Sequence, residues 1–363
     1  MKTNVLTLLT LLISSTAFVL APKPAPIEVI AYYSAGPEQV ADINPQKMTD
    51  IIYSFGHLKG NRFAIDNAKD SLTLKKLVAL KKQNPALKVH VSLGGWGGCA
   101  PCSEIFSTEE NRQVFAKSVK ENLLYFGADG IDLDWEYPAI PGHPGHRWVP
   151  EDKPNFTRLV QQLRKELGPK YKITFAAGGF QRFLDESIDW KPVMAVVDQV
   201  NLMTYDLVHG YSTVTGHHTP LYSTPEQKES TDNAVQWLIK QGIPRKKLVI
   251  GAAFYGRMWE NVANVNNGRY QSGKFKSGTN YRDRNNVMAP EKGFTYYWDD
   301  TAKAPYLYNA AEKLYFTFDD PRSIEAKTKY AIDQKLGGIM FWDLNGDQPK
   351  GGLLDVIDRV KHQ

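Results

Sequence analysis

Between Asp129 and Glu136 the chain reads Asp-Gly-Ile-Asp-Leu-Asp-Trp-Glu, so Asp132, Asp134 and Glu136 fall at alternate positions. Side chains of a β-strand alternate between its two faces, which puts these three acids on one face and Ile131, Leu133 and Trp135 on the other. The apolar face calls for covering helices, so the acidic face is expected to point into a barrel interior rather than to solvent. Like charges a few ångströms apart in such a place cannot all ionise, and at least one proton is expected to be shared along the row. Glu136, nearest the carboxyl end of the strand, is expected to have its pKa raised by its neighbours and to work as a general acid. Taken alone, the spacing suits either a pair of carboxylates that cleave a glycosidic bond or an acidic metal site. Asp129 has the wrong parity to join the row and is read as structural.

A row of acids needs a scaffold that presents strand ends to one face. Eight β-like segments recur along the chain, at 27–33, 50–55, 88–93, 130–136, 172–177, 199–204, 247–254 and 338–342. Amphipathic segments with apolar residues at three- and four-residue steps lie between them, at 72–82, 109–125, 153–167, 232–241 and 323–335. This alternation predicts an α/β fold of the (β/α)8 TIM-barrel type, whose active sites sit at the carboxyl ends of the strands. Residues 258–316 break the rhythm, with many Tyr, Asn and Gly and short β-like pieces at 293–298 and 313–318. They are read as a small α+β insertion after the seventh strand, leaving 27–257 and 317–363 as the barrel, because a structureless loop of that length is uncommon in a compact domain.

The 363 residues carry a formal charge of +5, with Lys and Arg scattered among acids instead of lining one stripe, which argues against nucleic-acid binding. Residues 1–21 read as a secretory signal: Lys2, an almost unbroken apolar run over 5–13, then small residues at Ser15 and Ala17 ahead of Pro22, Pro24 and Pro26. Cleavage is expected near residues 17–21, and the apolar run is shorter than the roughly 20 residues of a membrane-spanning anchor. Cys99 and Cys102 are the only cysteines. Their spacing resembles a redox motif, but export favours a local disulfide or two inert thiols. Two cysteines are also too few for a structural zinc site, and His143 and His146 lack an obvious third ligand. Neither a metal nor a cofactor is expected. Asn155-Phe156-Thr157 is a glycosylation sequon, relevant in a eukaryotic secretory pathway.

The acidic run, followed by Tyr137 and Pro138, resembles the signature of family-18 glycoside hydrolases, the chitinase family. Four other motifs are similar to the family's strand ends: Ser92-Leu93-Gly94-Gly95-Trp96 on the third strand, Met203-Thr204-Tyr205-Asp206 on the sixth, Phe254-Tyr255-Gly256-Arg257 on the seventh, and Gly337-Gly338-Ile339-Met340-Phe341-Trp342 on the eighth. The resemblance runs from Glu28 to the C-terminus and extends to the place of the insertion. It implies substrate-assisted hydrolysis of β-1,4-linked N-acetylglucosamine polymers, in which the sugar's own acetamido group replaces a carboxylate nucleophile. In that scheme Glu136 protonates the scissile oxygen. Asp134 turns between Asp132 and the acetamido N–H, Tyr205 binds the acetamido oxygen, and Trp342 forms an apolar floor. Tyr32, Met203, Asp206, Tyr255 and Arg257 follow as further site residues.

Trp96, Tyr137, Trp148 and Trp259 are candidates to stack on sugar faces, although loop aromatics also occur without such a role. Two other functions fit the same resemblance. One is a lectin that binds without cutting, which the presence of Glu136, Asp134 and Tyr205 disfavours; the other is a hydrolase of N-glycan cores or peptidoglycan. The expected partners are chitin and N-acetylglucosamine oligosaccharides, and a closed barrel with no free sheet edge is expected to be a monomer.

Overall fold

Branched apolar pairs such as Val29-Ile30, Ile51-Ile52 and Val249-Ile250 are fully buried on both strand faces, the pattern of parallel strands covered by helices. In the computed structural model, which describes residues 27–363, such runs build a closed barrel. Its strands are β1 (Glu28–Tyr33), β2 (Asp50–Lys59), with a short antiparallel partner β3 (Arg62–Ala64), β4 (Lys88–Gly94), β5 (Gly130–Asp134), β6 (Lys172–Gly178), β7 (Gln199–Met203) and β8 (Leu248–Ala253). Five further strands follow, β9 (Tyr255–Glu260), β10 (Lys274–Asn280), β11 (Thr295–Asp299), β12 (Ala304–Asn309) and β13 (Leu314–Thr317), before β14 (Gly338–Trp342) completes the barrel. Closure is explicit in the pairing, because β1 runs parallel to both β14, with Ile30 opposite Met340, and β2, with Tyr32 opposite Ile52. The expected eight-stranded barrel is present. The intervening sheet runs β10-β9-β13-β12-β11 and is antiparallel throughout.

The helices are α1 (Ala68–Ala79), α2 (Cys102–Ile105), α3 (Glu109–Phe126), α4 (Asp152–Leu167), α5 (Trp190–Val196), α6 (Thr231–Lys240), α7 (Asn285–Met288), α8 (Pro321–Asp333) and α9 (Leu353–Lys361). Their starts follow local chemistry. Asn67 accepts from the Asp70 amide at 3.0 Å before α1, and Asp320 forms a reciprocal cap with Ser323 ahead of Pro321 at the head of α8. The main core lies between barrel and helices, where Phe115, Val119, Phe156, Leu163 and Phe175 pack together. A separate cluster inside the barrel is formed by Ile30, Tyr32, Ile52, Tyr205, Val249 and Met340.

The antiparallel sheet starts at Tyr255, three residues earlier than the sequence pattern suggested, and ends at Thr317. Tyr255 and Arg257, which the linear pattern assigns to the barrel, stand on the first strand of this sheet, because only Phe254 separates β8 from β9. The sheet buries residues on both faces: Met258 packs with Leu307 and Phe316, and its neighbour Trp259 packs with Tyr306 and Tyr315. Cys99 and Cys102 are joined in a buried disulfide at the start of α2. The sequon residue Asn155 is buried in α4 and accepts from Arg158 at 3.0 Å, so its amide is closed to a glycan in the folded chain. The expected signal segment lies outside the described residues. Among those described, no helix is long and apolar enough to cross a membrane.

Candidate active site

Asp132 is held at the centre of the barrel by four strands. It lies opposite Ser92 of β4 and Thr174 of β6 in the register of β5. Ser92 Oγ donates to its Oδ2 at 2.9 Å and Thr174 Oγ1 to its Oδ1 at 2.6 Å. Tyr32 Oη from β1 adds a bond of 3.1 Å, and Asn201 Nδ2 from β7 one of 3.2 Å while also reaching Tyr32 Oη at 3.0 Å. Burial pushes the Asp132 pKa up, and these donors work against it by favouring the carboxylate. Asp134, one step further up the strand, is as deeply placed, but its Oδ1 has no hydrogen-bond partner among the described residues. Burial, and then the charges of Glu136 and Asp132, hold its pKa well above the usual carboxylate range. The four donors favour the charged form of Asp132, whereas burial and two neighbouring charges favour the neutral form of Asp134.

Strand β5 ends at Asp134, not at Glu136 as the alternation implied. Its partner β4 stops at Gly94, whose φ of +109° turns the chain away; a Cβ there would lie 2.3 Å from the Asp134 carbonyl oxygen. Trp135 still enters the core against Phe106 and Phe156, and Glu136 follows in the loop on the cleft side. The Glu136 pKa is raised to about 7, chiefly by desolvation, with a contribution from Asp206 and a counteracting hydrogen bond from Tyr137. The neighbouring acids of its own strand are thus not the main cause, as the linear pattern had suggested. Asp129 lies at the far end of the strand, where it accepts from the Val89 amide at 2.8 Å and pairs with Lys81.

Around the acids opens a cleft of about 1290 Å³, beyond the roughly 300–1,000 Å³ of a small-molecule pocket and suited to an extended ligand. Trp342, at the end of β14, lines the cleft, with its ring stacked at 5.6 Å on Phe55 and tilted at 5.8 Å against Tyr32. Tyr205 follows the end of β7, and among the described residues its one side-chain hydrogen bond goes to the weak acceptor Met340 Sδ at 3.8 Å. Burial raises its pKa well above that of a free phenol, so the hydroxyl keeps its proton to donate. Asp206 accepts from Arg257 Nε and Nη2, both at 2.5 Å. Burial pushes Asp206 up, but Arg257 and His218 outweigh it and hold the carboxyl well below the usual range. Met203 and Tyr255 also line the cleft.

Trp96 and Tyr137 line the cleft and meet edge to face at 6.3 Å. Trp259 does not line it; it is wholly buried in the antiparallel sheet, and its indole N–H donates to the Ser212 carbonyl. Trp148 is exposed on the loop before α4 and is not among the cleft-lining residues. His143 stacks on His146 at 4.5 Å and packs against Trp96 at the rim. Reading by motif missed Thr174, Asn201 and Phe55. The first two were legible by parity, since Thr174 shares a face with Ala176 and Asn201 with Met203; nothing local marks Phe55.

Residues 28–347 match the family model for Glycosyl hydrolases family 18. The chain belongs to that family. This glycoside hydrolase is 35% identical over 337 residues to chitinase A1 of Niallia circulans, a match that covers 82% of this chain and 48% of that protein, so the chain spans about half of that relative's length. Its fold is similar to that of a family 18 N-acetylglucosaminidase from Paenibacillus barengoltzii, with 37% identity, a TM-score of 0.83, and coverage of 92% of this chain and 99% of the other. The Ostrinia furnacalis Group IV chitinase, solved in complex with allosamidin, is 28% identical at a TM-score of 0.83, over 92% of this hydrolase and 98% of the other chain.

Proposed function

We propose that this hydrolase is a chitinase, cutting β-1,4 linkages between N-acetylglucosamine units with retention at the anomeric carbon through an oxazolinium intermediate. The state of Asp134 carries the reading. A buried carboxyl that holds a proton is a poor nucleophile, yet it can orient a neighbouring amide, so attack falls to the sugar's own acetamido oxygen. Glu136 gives its proton to the scissile oxygen as the anomeric C–O bond breaks and the acetamido oxygen bonds to the same carbon. The Glu136 carboxylate then takes a proton from the water that opens the ring from the side the leaving group occupied.

Asp134 turns from Asp132 to the acetamido N–H, leaving the proton on Asp132, and as a carboxylate stabilises the developing positive charge, while the Tyr205 hydroxyl donates to the acetamido oxygen. Trp342 supplies the apolar surface under the reacting sugar, and Tyr32, by holding Asp132, keeps the charge beneath Asp134 in place. Asp206, Arg257, Tyr255, Met203, Trp96 and Tyr137 line the cleft where flanking sugars bind. The chitinases among its relatives support the substrate class. The N-terminal segment supports export, and the closed barrel a monomer.

Activity on colloidal chitin, measured beside a glycoprotein bearing N-glycans, tests the substrate. Proton NMR of the first products tests the chemistry: the β-anomer is expected, and an initial α-anomer excludes retention. With partly deacetylated chitosan, frequent glucosamine at the newly formed reducing ends would rule out acetamido attack.

A further inference from the structure

His218 lies directly behind Asp206. Its side chain is fully buried, and both ring nitrogens lack a hydrogen-bond partner among the described residues. The adjacent His217 differs, since it spends Nε2 on Asp299 at 3.1 Å. Leaving a buried polar ring without a bond is costly and calls for a reason. Nδ1 of His218 lies 3.5 Å from Asp206 Oδ1, just outside good hydrogen-bond length.

The surroundings are built to hold that approach. The His218 carbonyl accepts from the Leu207 amide at 3.0 Å, which ties the segment that follows Asp206 to the one that carries the imidazole. The His218 amide is anchored on Thr317 Oγ1 at 3.2 Å. Tyr255 covers the ring at 5.2 Å between centroids, and the Arg257 guanidinium lies over the same tyrosine at 5.2 Å. Asp206 itself has a φ of +54°, a backbone region that non-glycine residues seldom occupy and that is retained where the surroundings enforce it. Arg257 thus grips the carboxylate through two nitrogens, and His218 backs it from within the protein.

We propose that His218 is a positioning residue for Asp206: its Nδ1–H backs the carboxylate, and the loose contact closes when substrate engages the cleft. Catalytic hydrogen bonds are often long in the free enzyme and tighten in the complex. Burial lowers the His218 pKa against the pull of Asp206, which suits a neutral N–H donor. The proposal rests on Asp206 being part of the working site.

A double-mutant cycle on a soluble N-acetylglucosamine oligomer tests it. His218→Leu, of similar volume but without a donor, is expected to lower kcat by about ten- to a hundredfold, the range for a lost hydrogen bond to a charged group. In an Asp206→Asn background the same change should cost less than about twofold, whereas independent sites would lose equally in both backgrounds within about that margin. His218→Asn, which keeps an N–H, should recover most of the loss. Equal losses from His218→Leu in both backgrounds, or an Asn variant no better than Leu, would overturn the proposal. Should His218→Leu fail to fold by circular dichroism, His218→Ala takes its place in the cycle. Oligomer-bound crystals of the His218→Asn and donor-less variants provide a readout independent of turnover: the Asp206 carboxylate is expected to leave its wild-type position only when the donor is lost, and an unmoved carboxylate refutes the idea. Wild-type turnover on the oligomer reports separately on the proposed substrate.

Discussion

Asp132 and Asp134 project from the same strand face two residues apart, yet Asp132 accepts from four side chains while Asp134 Oδ1 accepts from none. The donors come from β1, β4, β6 and β7, so the barrel fixes one acid and leaves its neighbour free to turn. Asp134→Asn keeps the shape but removes the charge that can develop on this group. It is expected to lower kcat by about 10²- to 10³-fold, as for loss of a preorganised oxyanion donor, with a much smaller change in KM. Steady-state kinetics on soluble oligomers decides this, and a loss confined to KM would contradict the role.

Glu136→Gln removes the proposed proton donor and nearly keeps the side chain's shape. Turnover is expected to fall by about 10²- to 10⁴-fold, while oligosaccharide binding, followed by quenching of Trp96 and Trp342 fluorescence, stays near wild type. A variant that retained more than about a tenth of the rate would show that another group is the acid.

The pH profile carries a sign that can be checked. As the proposed general acid Glu136 must be protonated to act, and its pKa is raised to about 7, so kcat/KM should hold below that pH and fall as pH rises through it. Asp206 contributes to the elevation through its negative charge. Asp206→Asn should therefore move the alkaline limb to lower pH, whatever it does to the maximum. An unshifted limb in that variant would remove Asp206 as a cause.

Lys327 and Asp319 form an ion pair at 2.6 Å in which both side chains are fully buried. Asp319 also accepts from the Ala253 amide at 3.0 Å, which joins α8, the segment after β13 and the last residue of β8. Lys327→Met would leave a carboxylate in the interior without its counter-charge. Loss of about 3–5 kcal/mol in urea unfolding is expected, and a double variant with Asp319→Leu should cost less than the single one. Near-equal stability of the single variant and wild type would refute the stabilising role of the pair.

Much of this protein is legible in its linear order. Period-two alternation sets which acids share a face, and the recurrence of strand and helix requires a closed parallel barrel with its strand ends at one mouth. These are local properties, determined by residue type and the geometry of the extended chain. What the tertiary structure decides is the environment of each acid. Whether Asp132 or Asp134 holds the proton depends on Tyr32, Ser92, Thr174 and Asn201, which lie up to 100 residues away in the chain. The pKa of Glu136 depends chiefly on desolvation, with Tyr137 lowering it and the distant Asp206 raising it, and Asp206 depends in turn on Arg257 and His218. Desolvation and charge act through space over a few ångströms, so they follow the closing of the barrel and the docking of the antiparallel sheet, which no spacing along the chain expresses.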